Sequence, residues 1–277
     1  MRILVTGSSG QLGAALCELL AEQHTLIGLD ALPGKWTTHV GSVTDRDLIC
    51  TLTRGVDAIL HTASLHARHL SSHSRSDFVS TNMQGTLNLL EAAVERGVRR
   101  FVYTSTTSLY GHAMVSPDRA VWVSEVLPPE PRDIYDVTKI AAEGLLKITA
   151  EQHGLPCISL RVSRFFPEPE NLMVLYRLYR GVDVRDAAWA HLLALQSDLP
   201  GFEAFNISAR SPFAREDVEA LFQDPRQVIL KYHPSVEQEF RQRGWQFPER
   251  IDRVYSIEKA EKMLDYHPRF NFADSFQ

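Results

Sequence analysis

Three glycines at the start of the chain set the terms of the fold. The opening MRILVTGSSGQLG holds an unbroken apolar run, Ile3-Leu4-Val5, that reads as a buried strand, followed by Gly7, Gly10 and Gly13. From Gln11 onward Leu12, Ala15, Leu19 and Leu20 recur at helical spacing. A glycine turn between a strand and a helix is a place where the backbone approaches something closely. No side chain blocks it, and the first N–H groups of the helix, which have no partner within the helix, point toward it. That geometry suits a phosphate, and a strand–loop–helix unit of this kind belongs to a parallel sheet.

The alternation continues along the chain. Thr25 to Leu29 reads as the next strand and ends in Asp30; a helix follows from about Arg46, then a short strand at Ala58 to Leu60. Further on come a long helix over Asp77 to Arg96, a strand at Phe101 to Thr104, a helix over Tyr135 to His153 and a strand at Cys157 to Val162. After Pro167 the pattern loosens. A helix at Val184 to Leu195 and a short strand at Phe202 to Asn206 are followed, to Gln277, by short amphipathic helices and loops with proline and aromatic residues. The expectation is an α/β fold: a Rossmann-type doubly wound parallel sheet over residues 1–165, with a small C-terminal substrate-side lobe over 166–277 whose elements interleave with the first unit.

Composition narrows the function classes. With 44% hydrophobic and 23% charged residues over 277 positions, a packed core is expected. A formal net charge of -5 gives no general attraction to nucleic acid or to anionic membranes. No apolar run has the length of a membrane span, and the glycine loop stands where the apolar stretch of a signal peptide would continue, so a cytoplasmic location is expected. Cys17, Cys50 and Cys157 are odd in number and lack CxxC spacing, which fits buried free thiols better than a disulfide frame or zinc ribbon.

Two constellations carry chemistry. Asp30 stands seventeen positions after Gly13, near the roughly 20 at which an acidic residue meets the ribose hydroxyls of a dinucleotide. Its charge would repel a 2′-phosphate, so NAD is expected rather than NADP. Tyr135 and Lys139 lie four apart at the start of a helix, on one face. Bringing a phenol from about 10 to about 7 takes roughly 4 kcal/mol, and an ammonium at about 4 Å supplies that order at an effective dielectric near 20. The hydroxyl run Thr104-Ser105-Thr106-Thr107-Ser108 follows the apolar Phe101-Val102-Tyr103, at a strand's carboxyl end, where ligands bind in such sheets.

As an ordered set, TGSSGQLG at 6–13, Asp30, HTAS at 61–64, Asn82-Met83-Gln84-Gly85-Thr86, STTSLYG at 105–111, YDVTK at 135–139 and Arg161 resemble the extended short-chain dehydrogenase/reductase family, of the NAD-dependent epimerase/dehydratase type. Val182-Asp183-Val184-Arg185-Asp186 resembles that family's later V-x-D element. The resemblance is close over about 1–165 and loose beyond. It implies a catalytic hydroxyl at Thr106, a base at Tyr135, and Lys139 holding the ribose and tuning Tyr135. It implies cofactor contacts from Gly7, Ser9, Gly10, Gln11, Leu12 and Gly13, from Asp30 and Val43, from Thr62, Ala63 and Ser64, and from Asn82, Thr104, Tyr135 and Lys139. Substrate contacts are expected at His66, Ser105, Thr106, Thr107 and Arg164.

Departures from the pattern narrow the reaction. Relatives that dehydrate sugars place an Asp-Glu pair after the catalytic hydroxyl; here Thr107 and Ser108 stand there, and neither suits that proton shuttle. Nucleotide-sugar epimerases carry an asparagine and then a long nucleotide-gripping segment. Here Arg164 takes the asparagine's place and the following segment is short. The Pro167-Glu168-Pro169 tripeptide is similar to uronate dehydrogenases, and Arg164, Arg177 or Arg180 are candidates to bind a carboxylate, although an internal ion pair is the commoner fate of any one of them.

His61, His66, His69 and His73 invite a metal, but no four-ligand set is visible and none is expected. The reading is an NAD-dependent oxidoreductase acting on a sugar or sugar-acid hydroxyl. A redox-neutral nucleotide-sugar epimerase is the alternative, and a cofactor-sensing protein without turnover a third. Pairing of two copies through the helices at Asp77–Arg96 and Tyr135–His153 is a further expectation.

Overall fold

The computed structural model describes residues 1–276. In chain order the elements are β1 (Arg2–Thr6), α1 (Gln11–Leu20), β2 (Thr25–Asp30), β3 (His39–Val40), α2 (Arg46–Leu52), β4 (Ala58–His61), α3 (Arg75–Phe78), α4 (Gly85–Arg96) and β5 (Arg100–Thr106). They continue as β6 (Val121–Val123), α5 (Ile134–His153), β7 (Cys157–Val162), α6 (Glu170–Tyr176), α7 (Val184–Gln196), β8 (Phe202–Ile207), α8 (Val218–Gln223), α9 (Pro225–Tyr232), α10 (Val236–Arg243), β9 (Arg253–Tyr255) and α11 (Glu258–Leu264). Helices start where the sequence supplies caps. Asp45 accepts from Leu48 N ahead of α2, and Asp133 from Asp136 N ahead of α5, each satisfying an N–H that the helix leaves unpaired.

Seven strands form one parallel sheet in the order β3-β2-β1-β4-β5-β7-β8. The chain winds outward from β1 to one edge, returns, and winds from β4 to the other, so the sheet is doubly wound with its switch between β1 and β4. β1, β4 and β7 are buried almost throughout, as strands covered on both faces must be. One apolar layer packs α1, α7 and α11 on one face; a second packs α2, α4 and α5 on the other. Register places Thr6 beside Leu29 and His61, His61 beside Tyr103, and Thr106 beside Val162, so the strand ends form one edge.

The helix expected at Asp77–Arg96 is interrupted. Between α3 and α4 the segment Val79–Gln84 winds as a wider π turn, which turns Asn82 into the interior. β3 and the two-stranded parallel sheet of β6 with β9 carried too few residues to show a period in the sequence. A third apolar core gathers α6, α8, α9 and α10 with Ile251, Val254 and Phe272. Within it Phe240 meets Trp245, Phe247, Phe272 and Phe276. β8 comes late in the chain yet completes the main sheet beside β7.

Candidate active site

The strand ends open onto two clefts that share a wall. The larger, of about 750 Å³, lies over the first loop. Gly7 turns there with φ of +75°, and a Cβ on it would sit 2.6 Å from Thr62 Oγ1 and 2.7 Å from Ala63 N. A Cβ on Gly13 would fall 2.0 Å from Gly7 O, so α1 can pack against this loop only with glycine in that place. Gly7, Gly10, Gln11, Leu12 and Gly13 form the floor. Asp30, Val43, Thr62, Ala63, Ser64 and Thr104 form the sides.

Asp30 is held before any ligand arrives. Its Oδ2 accepts from Ser9 N and its Oδ1 from Leu32 N, both at 2.9 Å, and each oxygen keeps further acceptor capacity. Ser9 lies behind this carboxylate: its hydroxyl donates to Leu32 O at 2.8 Å and contacts Thr37 Oγ1 at 2.7 Å. Asn82 also stands behind the wall. Its amide nitrogen donates to Leu65 O and Thr138 Oγ1, both at 3.0 Å; its oxygen accepts from Leu65 N at 2.8 Å and from the Ser64 hydroxyl at 3.1 Å. It thereby ties the loop after β4 to α5.

The smaller cleft, of about 290 Å³, brings together Thr106, Tyr135 and Lys139 with His66, Ser105, Thr107 and Arg164. His66, Thr104, Phe165 and Phe166 line both clefts. The His66 ring stands 6.0 Å from that of Tyr135, and burial together with the nearby Lys139 charge holds its pKa down at about 3, so it is neutral. Burial pushes the Tyr135 phenol above its ordinary value, while the Thr106 hydroxyl beside it pulls back. The sequence placed Lys139 against that phenol. In the structure its Nζ donates instead to Thr104 O at 2.6 Å and lies 4.1 Å over the Tyr103 ring. Burial brings the ammonium down to about 7, opposed by the Glu143 carboxylate one turn further along α5.

Buried polar groups fix this machinery from below. The Glu143 carboxylate receives Arg161 Nη2 at 2.7 Å and the Ser159 hydroxyl at 2.9 Å. Arg161 Nη1 donates to Tyr110 Oη at 2.9 Å, and Tyr110 donates on to Asn206 Oδ1 at 2.7 Å. His191 Nδ1 faces Ala187 O at 2.8 Å, which fixes the proton there and leaves Nε2 to accept from the Thr104 hydroxyl at 2.7 Å. The Thr86 hydroxyl donates to Asn82 O, so it accepts from His61 Nε2, and His61 Nδ1 accepts from Thr6 at 2.7 Å. His61 is thus a buried link between β1 and the start of α4. His69 and His73 line the larger cleft with Arg68. Among the described residues no group of three or more His, Cys, Asp or Glu side chains is placed to hold a metal ion.

Sequence reasoning missed part of the smaller cleft. Met114, Arg132, Arg253 and Tyr255 line it, as do Phe165 and Phe166. Arg132, three places before Tyr135, was near enough to the YxxxK motif to be found; Arg253 and Tyr255 reach the cleft only because β9 pairs with β6, and no local signal announces that pairing. Arg164 lines the cleft, but its Nη2 donates to Glu168 and its guanidinium lies 5.3 Å over the Phe166 ring.

The sequence profile of the NAD dependent epimerase/dehydratase family matches residues 3–173. Over 187 residues the chain is 33% identical to a 3-beta-hydroxysteroid dehydrogenase of Mycolicibacterium neoaurum, covering 62% of this chain and 50% of that protein. It is 30% identical over 201 residues to an uncharacterized UDP-glucose epimerase of Bacillus subtilis, covering 65% and 62%. It is 28% identical over 181 residues to a uronate dehydrogenase of Pseudomonas putida, covering 63% and 65%. The matched stretch therefore spans between half and two thirds of these relatives. Among solved structures, a short-chain dehydrogenase/reductase superfamily protein of Agrobacterium tumefaciens with bound NAD shares the fold, with a TM-score of 0.75 at 22% identity over 99% of this chain and 94% of the other. No helix among the described residues is long and apolar enough to cross a membrane.

Proposed function

The chain belongs to the NAD dependent epimerase/dehydratase family, and on that footing we propose that it oxidises a hydroxyl-bearing carbon of a small sugar-type substrate held in the smaller cleft. NAD is the cofactor of this reading, in the larger cleft. The residues fit it: the Gly7 and Gly13 positions leave no room for a side chain, the N-terminus of α1 faces the floor, and Asp30 keeps acceptor capacity for ribose hydroxyls. When bound, NAD supplies the hydride acceptor and a positive charge at the nicotinamide ring. The observation that carries the reading is the shared wall: Thr106, Tyr135 and Lys139 line a cleft that has His66, Thr104, Phe165 and Phe166 in common with the larger one.

In this scheme Thr106 orients the substrate hydroxyl, and Tyr135, ionised to the phenolate in the NAD-loaded site, takes the substrate proton at Oη and returns to the phenol. Lys139, already committed to Thr104 O, acts on Tyr135 through its charge. His66 is a substrate contact, as are Ser105 and Thr107. Ser9 and Asn82 serve the cofactor side by holding Asp30 and the loop after β4 in place. Residues 1–165 are the NAD-binding unit, and the substrate-side lobe lies within 166–277.

The named relatives act on, or are named for, steroids, UDP-glucose and uronates. A cleft near the lower end of the ~300–1,000 Å³ usual for ligand sites, walled by hydroxyls and arginines, suits a free sugar or sugar acid better than a steroid or a nucleotide sugar. The match to a UDP-glucose epimerase supports the second reading, in which hydride leaves and returns without net oxidation. Purified protein given NAD and a panel of free sugars, sugar acids and nucleotide sugars tests both. NADH accumulating with one class supports the dehydrogenase; an epimerised product without NADH overturns it in favour of the second reading. Pairing through α3–α4 and α5, in the cytoplasm, completes the proposal: Val79, Val137 and Ile148 on those segments are exposed, and light scattering is expected to report a dimer.

A further inference from the structure

We propose that Arg180 anchors an anionic group on the substrate, so that the smaller cleft takes a sugar acid or a sugar phosphate and rejects the neutral sugar. This rests on the reading above that the smaller cleft is the substrate site.

The lining of that cleft is one-sided. Lys139, Arg132, Arg164, Arg180 and Arg253 contribute to it, and no aspartate or glutamate does. Three of the arginines are already engaged. Arg132 Nε donates to Asp136 at 3.2 Å, Arg164 to Glu168, and Arg253 Nε to Asp252 at 3.0 Å. Arg177, another candidate from the sequence, pairs with Asp183 at 2.8 Å. Arg180 has no ion-pair partner among the described residues. Asp252 feels its charge but is gripped by Arg253.

Arg180 is nonetheless well placed. Its backbone N–H donates to Tyr176 O at 2.8 Å, and its carbonyl accepts from Arg164 N at 3.2 Å. Its guanidinium carbon lies 4.4 Å from the centre of the Tyr176 ring and 5.7 Å from that of Tyr179. Contact with aromatic rings restrains the guanidinium and lowers the entropic cost of binding, while its N–H donors remain for a ligand. A half-buried cation without a counter-ion is unfavourable, and a carboxylate or phosphate arriving with the substrate would match its fork of N–H groups. In the same cleft the Ser105 hydroxyl is buried without a hydrogen-bond partner among the described residues, a second polar group awaiting one.

The test is a thermal-shift and equilibrium-binding series on the full chain saturated with NAD, using D-glucuronate, D-glucose 6-phosphate and D-glucose. One of the two anions is expected to raise the unfolding temperature, and D-glucose is not; whichever acts tells carboxylate from phosphate. Arg180→Gln is expected to weaken that anion roughly tenfold to hundredfold. Arg180→Lys should recover part of the loss, and Arg164→Gln should keep most of the affinity. NAD affinity, unchanged in all three variants, shows that they fold. Equal binding of D-glucose, no binding of either anion, or wild-type affinity in Arg180→Gln overturns the proposal. Since the readout needs no turnover, anion binding through Arg180 without NADH would sink the dehydrogenase reading and leave this one standing. NADH formed from D-glucose would do the reverse.

Discussion

The two clefts that meet at His66, Thr104, Phe165 and Phe166 are built from different materials. The larger rests on a glycine turn with no room for Cβ atoms, the first turn of α1, and the loop after β4 held by Asn82. The smaller draws its lining from scattered elements: β5, α5, the segment after β7, the end of the α6 region and β9. A backbone cradle fits any ligand with the same phosphate and ribose, whereas a side-chain pocket can be rewritten one residue at a time. The difference teaches where specificity resides. On the proposed reading, cofactor identity follows from the sheet and its first loop, and substrate identity from the side chains gathered at the smaller cleft.

Substitutions that strike one cleft and spare the other test this division. The largest effect is expected from Tyr135→Phe, which should lower turnover by on the order of 10²–10⁴ while leaving the dissociation constant for NAD unchanged. Retained turnover in steady-state assays would remove Tyr135 from the base's role. Phe240→Ala, at the centre of the lobe's aromatic cluster, is expected to cost about 3–5 kcal/mol in denaturant unfolding. If the division holds, it raises KM for substrate and leaves NAD binding intact; NAD affinity falling in parallel would show one cooperative site.

Asp30→Ala should weaken NAD roughly tenfold to hundredfold by titration calorimetry, through loss of charge-assisted hydrogen bonds. Anion binding in the other cleft should survive, and unchanged NAD affinity would displace Asp30 from the ribose.

The last effect is a slope, read per pH unit. Burial holds His61 and His66 at about 3 and His191 at about 4, all below the ordinary 6.5. As pH falls through 6.5 the unfolded chain takes up protons that the folded form refuses. Stability contributed by neutral imidazoles is therefore lost from about pH 6.5 downward, at about 1.4 kcal/mol per pH unit for each. Unfolding midpoints between pH 7 and 4.5 should show it, and His191→Gln should flatten the slope by one imidazole. An unaltered slope would show that His191 is not among the groups responsible.

The contrast between the clefts also explains what the sequence disclosed. The glycine loop, Asp30 and the strand–helix alternation were legible because each is decided within a few residues by sterics and burial. The π turn was not, since Asn82 is drawn inward by partners at Leu65 and Thr138 that lie far off in the chain. Lys139 was placed on the correct face, but its ammonium is directed by the nearest buried acceptor, Thr104 O, which helix spacing does not report. Arg164 was a candidate for a carboxylate with an internal ion pair as the commoner fate, and Glu168, four positions on, supplies that pair. Arg253 and Tyr255 were invisible because only the pairing of β6 with β9 delivers them.

That late pairing has a bearing on how the molecule comes into being. The residues that wall the larger cleft all lie between Gly7 and Pro167. The smaller cleft waits for Tyr255, 88 residues later. At the ~5–20 residues per second of protein synthesis, the emerging polypeptide carries every wall of the first cleft for several seconds before the second can close. The larger cleft therefore has all its lining residues in hand while the smaller is still missing Arg253 and Tyr255.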